Sequence, residues 1–273
     1  MLTRVEVRTS RGTLLSLPMA DVSDGIVIDE IEGLGPVKAT LVSSSFANED
    51  GAQFHSSRRE PRNIKFKFSL EPDYINMSVE DVRDRLYSFF MPESTIQLRF
   101  FKHTGFFADI EGVVESADPE IFTDEPEMNI SVMCYKPDFV VPAATPITGL
   151  TTSGVELRSV QYDGTVDTGI AFELRPDRPV SAFTIYHNPP DGTLRQMDFS
   201  LPMVAGDKLS VSTVRGAKSV MHKRAGVERS VLYALSPQSP WLELVHGENK
   251  LRVYAAGVGI PWTINRIDKY GGL

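Results

Sequence analysis

A strictly alternating segment that runs into a cluster of prolines sets the architecture of this chain. Met128, Ile130, Val132 and Cys134 fall on one side of an extended backbone, and Asn129, Ser131, Met133 and Tyr135 fall on the other. Pro137, Pro142 and Pro146 follow within ten residues. A strand that completes one unit and then meets such a seam marks a boundary between two folded units. The 273 residues are enough for two cores. The expected division is 1–140, a Pro-rich linker at 141–150, and 151–273.

Bulk properties narrow the class. Apolar residues at 41% and charged residues at 23% are ordinary for a globular protein. The single cysteine, Cys134, lies on the apolar side of its strand and reads as a small buried hydrophobe. With one cysteine no disulfide forms within the chain, so nothing points to an oxidising compartment. The first residues alternate as a strand and lack the apolar core of a signal peptide. No apolar run approaches the roughly 18 residues that span a bilayer. The expectation is a protein made and assembled in the cytoplasm, without membrane insertion.

Charge is divided unevenly. Residues 1–140 hold 14 Lys/Arg against 24 Asp/Glu, a net of −10, whereas 141–273 hold 14 against 12, a net of +2. An acidic first half argues against gripping nucleic acid, because binding requires phosphates to be neutralised. It is compatible with nucleic acid passing by.

In the first half, strands are expected at 5–8, 13–17, 25–31, 64–70, 95–101, 105–114 and 128–135. Ile64, Phe66, Phe68 and Leu70 alternate with Lys65, Lys67 and Ser69, the pattern of a sheet with one wet side. One helix is expected, with Ser78 as N-cap, Glu80 and Asp81 in the first turn, and Val79, Val82, Leu86 and Phe89/Phe90 as the apolar stripe. Residues 43–62 read as a long polar loop carrying Arg58, Arg59 and Arg62. The stretch 115–127, with six carboxylates and no basic residue, reads as a solvated loop or as a face that must stay negative.

The second half reads as all-β. Runs at 155–160, 168–174, 182–187, 194–201, 208–214, 219–222, 231–235, 241–245, 250–255 and 261–267 are separated by turns such as Asp163-Gly164 and Asp191-Gly192. That rhythm predicts a two-sheet sandwich.

Catalytic signatures are missing. The histidines at 55, 103, 187, 222 and 246 show no zinc-ligand spacing. Neither Gly33-x-Gly35 nor Gly257-x-Gly259 opens a helix, and no Gly-x-Ser-x-Gly elbow occurs. Asp163 to Asp167 reads as an Asp-Gly turn sooner than a calcium loop. The chain is not expected to be an enzyme, and no cofactor or metal is expected. Trp241 is expected to pack between sheets, and Trp262, near the end of the chain, to be freer. Trp262 and Tyr254 are the candidates for sugar contact.

Four stretches together resemble the distal tail protein family of long-tailed (siphovirus-type) bacteriophages. They are Ile28-x-x-Ile31-x-Gly33-Leu34-Gly35-Pro36; Asp50-Gly51 with Arg58, Arg59, Arg62 and the alternating 64–70; Val132-x-Cys134-x-x-Pro137-x-Phe139; and Trp241-x-x-Leu244-x-x-Gly247-x-Asn249-x-Leu251. The resemblance implies a mainly β protein. Its first part would be a tail-tube-like β-barrel or sandwich with one helix, and its second a galectin-like antiparallel β-sandwich. It further implies a virion component, a hexameric ring that joins tail tube protein to tail hub or tip protein, with DNA passing through unbound. On that reading the lumen candidates are Asp29, Glu30, Glu32, Glu115, Asp118, Glu120, Asp124, Glu125 and Glu127. Arg58, Arg59 and Arg62 are the candidates for pairing with a neighbouring subunit. The alternative is a carbohydrate-binding module that contacts host surface glycans.

Overall fold

The computed structural model describes residues 1–20, 25–48, 50–120, 123, 125–142, 146–256 and 259–273. The chain divides into two compact units, Met1–Val140 with Gly271–Leu273, and Val141–Tyr270.

The first unit contains β1 (Leu2–Thr9), β2 (Leu14–Pro18), β3 (Ile26–Glu32), β4 (Ala39–Ser44), β5 (Gln53–Arg59), β6 (Arg62–Leu70), α1 (Val79–Phe90), β7 (Thr95–Lys102), β8 (Phe107–Pro119), β9 (Glu127–Cys134) and β10 (Phe139–Val141). An antiparallel sheet runs β2-β1-β7-β8-β9-β6-β3. Its period-two patterning buries Val5, Val7, Ile64, Phe66, Phe68, Leu98, Phe100, Ile130 and Val132 on one side. The helix covers that side. Ser78 and Asp81 form a reciprocal capping box, which satisfies donors that the first turn would otherwise leave open. Val82, Leu86 and Phe90 are the buried positions of the helix. Phe90 packs on Phe66 and Phe68 with ring centroids 6.2 and 6.1 Å away. A twelve-residue helix gains little from propensity alone, so this packing holds it.

Two features depart from expectation. The stretch read as a polar loop is a hairpin, β4 with β5, which pairs with no other strand among the described residues. The stretch read as a loop from 115 onward is the continuation of β8, which pairs with β9 out to Pro119 opposite Met128.

The second unit contains β11 (Ile147–Leu150), β12 (Arg158–Tyr162), β13 (Thr168–Leu174), β14 (Val180–Asn188), β15 (Arg195–Met203), β16 (Lys208–Ser212), β17 (Ser219–Arg224), β18 (Val227–Ser230), β19 (Glu243–Leu244), β20 (Gly247–Ala255), β21 (Pro261–Arg266) and β22 (Asp268–Tyr270). One sheet runs β11-β21-β13-β16-β17-β18, with β19 on β13, and the other runs β12-β20-β14-β15. Their inner faces share one core. Phe172 of the first sheet stacks on Phe183 of the second at 6.1 Å, and Phe183 stacks on Phe199 at 4.5 Å. The end of the expected linker is strand, since Ile147 to Leu150 pair with β21. The run at 231–235 is a 3-10 turn, Leu232–Ala234, and the strand lies just before it as β18.

Candidate functional site

Most of the predicted carboxylates gather on the wet side of the first sheet. On β6, Asn63, Lys65, Lys67 and Ser69 point away from the core because the apolar residues alternate with them. β3 sets Glu30 opposite Lys67 and Glu32 opposite Lys65. A bulge between Ile28 and Glu30 takes Asp29 out of register, and its carboxylate accepts from Ser69 Oγ at 2.6 Å. On the other flank, β9 places Ser131 opposite Lys65 and Asn129 opposite Lys67. β8 lies beyond, with Asp118 opposite Asn129. A second bulge, between Val114 and Ser116, leaves Glu115 exposed; it accepts from Ser131 Oγ at 2.8 Å.

The result is a groove of about 510 Å³ whose lining includes Glu30, Glu32, Glu115, Asp118, Lys65 and Lys67. Lysines occupy its middle strand and carboxylates both flanks. Lys65 lies 3.4 Å from Glu32, while Lys67 turns to Glu127 at 2.8 Å. The hydrogen bond that the Lys67 ammonium donates to the Glu127 carboxylate holds the Lys67 pKa above its usual value. These pairs are partly exposed and contribute little to stability. Their effect is on the field, where four carboxylates outweigh two lysines. Glu120 lies by the start of the helix with Glu80, and Glu125 lines a separate recess with Glu71 and Tyr74. Asp124 lies outside the described residues.

The three arginines separate. Arg58 is exposed, 3.5 Å from Glu60. Arg59 makes a bidentate pair with Asp138 of the same unit, through Nη1 to Oδ1 and through Nη2 to Oδ2 at 3.0 Å. Arg62 corrects the expectation of an exposed interface residue, for it is 1% exposed. Its Nε donates to the Pro137 carbonyl at 2.8 Å, its Nη1 to the Gly33 and Gly35 carbonyls, and its Nη2 to the Gly271 carbonyl at 2.5 Å. The guanidinium also sits 4.4 Å from the centre of the Phe139 ring. With its fork occupied inside the unit, Arg62 ties the glycine turn, the end of the first unit's main segment and the C-terminal tripeptide together.

The sugar candidates are not brought together. Trp262 is 4% exposed, opposite Gly149 and Leu174 in the register and 6.4 Å from Phe172. A side chain at Gly149 would collide with the indole, so the glycine makes room for a tryptophan that belongs to the core. Trp262 is therefore no platform for a sugar. Tyr254, 40% exposed, lies on β20 in the other sheet.

Sequence reasoning missed the buried polar pair His187 and Asn249. Their side chains meet at 2.9 Å with both residues fully buried, and desolvation lowers the His187 pKa. The Gly247-x-Asn249 spacing was the available signal. Among the described residues no group of three or more His, Cys, Asp or Glu is arranged to hold a metal ion. Burial pushes the Cys134 thiol up to about 11, so it stays protonated and unreactive at neutral pH.

No protein-family model and no curated protein matches this sequence. Among solved structures, the chain is similar to the Dit protein of phage SPP1, described as a paradigm of the hub adsorption apparatus in phages that infect Gram-positive hosts. Identity is 12%, the match covers 97% of this chain and 98% of that one, and the TM-score is 0.65. Chains of the phage p2 baseplate in its activated conformation also match. The form with strontium gives 9% identity, 96% and 97% coverage and a TM-score of 0.40. The form with calcium gives 10% identity, 97% and 98% coverage and a TM-score of 0.41. At 12% identity, what is shared with the SPP1 protein is the fold across both units.

Proposed function

We propose that this chain is a structural component of a phage tail, assembling as a closed ring that joins the tail tube to the tip hub or baseplate. The observation that carries this reading is the match with the SPP1 Dit protein along nearly the whole of both chains. A sheet of this kind also invites assembly. Among the described residues β2 and β3 each pair on one side only, and an open edge is a template for another strand. A ring covers such edges by using one heterologous interface repeatedly. Six copies follow from the family resemblance.

In this reading the groove of Glu30, Glu32, Glu115 and Asp118 faces the channel. DNA carries a charge every ~1.7 Å of axis, so a wall that it must pass should repel it. Reversing all four carboxylates to lysine is expected to slow DNA ejection from particles of normal appearance. Ejection kinetics unchanged by the reversal would remove the groove from the channel while leaving the ring intact.

The proposed location is tested on virions. Antibody to this chain should decorate the distal end of the tail in electron micrographs. Decoration of the capsid or the tail shaft, or none on intact or opened particles, would refute the assignment.

A further inference from the structure

We propose that the side of the second unit between β11 and β12 is a docking site for an extended peptide segment of another protein, one with a large apolar side chain next to a carboxylate. The inference concerns the second unit alone and does not rest on the ring reading.

Two sheet edges meet there. Among the described residues β11 pairs only with β21, and β12 pairs only with β20. A recess of about 230 Å³ is lined from β11 by Leu150 and from β12 by Arg158. Leu157, Leu251, Val253 and the Trp262 indole complete its apolar lining. Leu150 is 61% exposed, and Val155, in the connection between the two strands, is 84% exposed. The edge thus shows water an apolar surface. Trp262 is 4% exposed, yet its Nε1 has no hydrogen-bond acceptor among the described residues. A buried donor left open is costly, and most such groups in folded proteins are paired. An acceptor that enters the recess comes to the indole.

Size, hydrogen bonding and charge select the occupant. The recess has room for one large side chain and is smaller than the ~300–1,000 Å³ pockets that enclose whole small molecules. An extended backbone carries a carbonyl at every residue, which suits the free strand edges as well as the indole. Arg158 and Arg252 line the recess against one carboxylate, Glu156. Arg158 donates to the Thr148 carbonyl, and Arg252 donates to the Gly154 carbonyl at 2.7 Å. Both guanidinium charges are therefore left for an incoming carboxylate.

The full chain is the bait for the test. Random linear peptides selected against it should converge on Leu, Ile, Phe or Trp beside Asp or Glu. With 5-fluorotryptophan in the chain, the best of these peptides should shift the Trp262 fluorine resonance and leave that of Trp241 in place, the two being assigned with Trp241→Phe. Arg158→Glu should weaken that peptide about tenfold or more, and a lysine in place of its acidic residue should restore binding to the variant. Where circular dichroism shows the variant misfolded, the lysine peptide decides on the wild-type chain, where it should bind about tenfold more weakly than the acidic one. No consensus, a basic consensus, or a Trp262 resonance that the peptide leaves unmoved would overturn the site. A Trp262 resonance that moves with protein concentration alone would assign the recess to a second copy and overturn the peptide.

Discussion

Replacing Arg62 with alanine is expected to cost the first unit several kcal/mol, since each buried carbonyl left without its donor costs about 1–3 kcal/mol. The guanidinium donates to four carbonyls, those of Gly33, Gly35, Pro137 and Gly271, from segments far apart in sequence. Alanine strands those acceptors and also leaves a cavity over Phe139. Gly33 has a φ of +82°, and a side chain there would collide with the Asn63 carbonyl, so this turn cannot re-form easily around a gap. Arg62→Lys should recover only a small part of the loss, because an ammonium lacks the planar fork. The two units require separate probes. Both tryptophans lie in the second unit, so their emission follows that unit, and amide exchange in β6 and β9 follows the first. Exchange protection in β6 that survives Arg62→Ala would contradict the account.

The second large effect concerns Asn249. Its Oδ1 accepts from the Val245 amide at 3.1 Å and lies 2.9 Å from His187 Nε2, and its Nδ2 donates to the carbonyls of Val245 at 2.7 Å and Gly247 at 3.0 Å. Truncation to alanine leaves buried groups unpaired and should cost the second unit about 3 kcal/mol or more. The same pair gives the unit a pH dependence. The folded His187 has a pKa below its ordinary 6.5 because it is buried, so the unfolded chain takes up the proton first. Stability should therefore be fully present above about pH 6.5 and decline as pH falls below it, until the folded form is itself protonated. His187→Gln should flatten this slope in urea titrations followed by tryptophan emission. A slope that persists unchanged would place its origin elsewhere.

What could be read from the residues depended on burial. β6 and the helix were legible because half of each is buried: Phe66 and Phe68 alternate with lysines, and Val82, Leu86 and Phe90 recur at helical spacing behind a capping serine. The β4–β5 hairpin was not legible, because nothing on it is buried and so no apolar alternation was imposed on Gln53 to Arg59. β8 appeared to stop at Val114 because the bulge shifts the register and interrupts the period of two. Val231, Ala234 and Leu235 are all buried, and such a short apolar run fits a strand or a 3-10 turn equally well.

The candidate site followed the same logic. Glu30, Glu32, Glu115 and Asp118 were named as candidate lumen carboxylates, the last two in a stretch read as a loop, and only strand order shows that β3 and β8 flank the lysines of β6. Arg62 looked like a surface cation because the carbonyls that satisfy it come from positions 33, 35, 137 and 271. Trp262 looked free because the glycine that accommodates it is more than a hundred residues earlier, at 149.

Self-assembly is the claim on which the functional reading turns, and native mass measurement across micromolar concentrations addresses it most directly. The account predicts a discrete closed species at a whole multiple of the 30.3 kDa subunit, sixfold by the family resemblance. A lone 30.3 kDa particle at every concentration would contradict it.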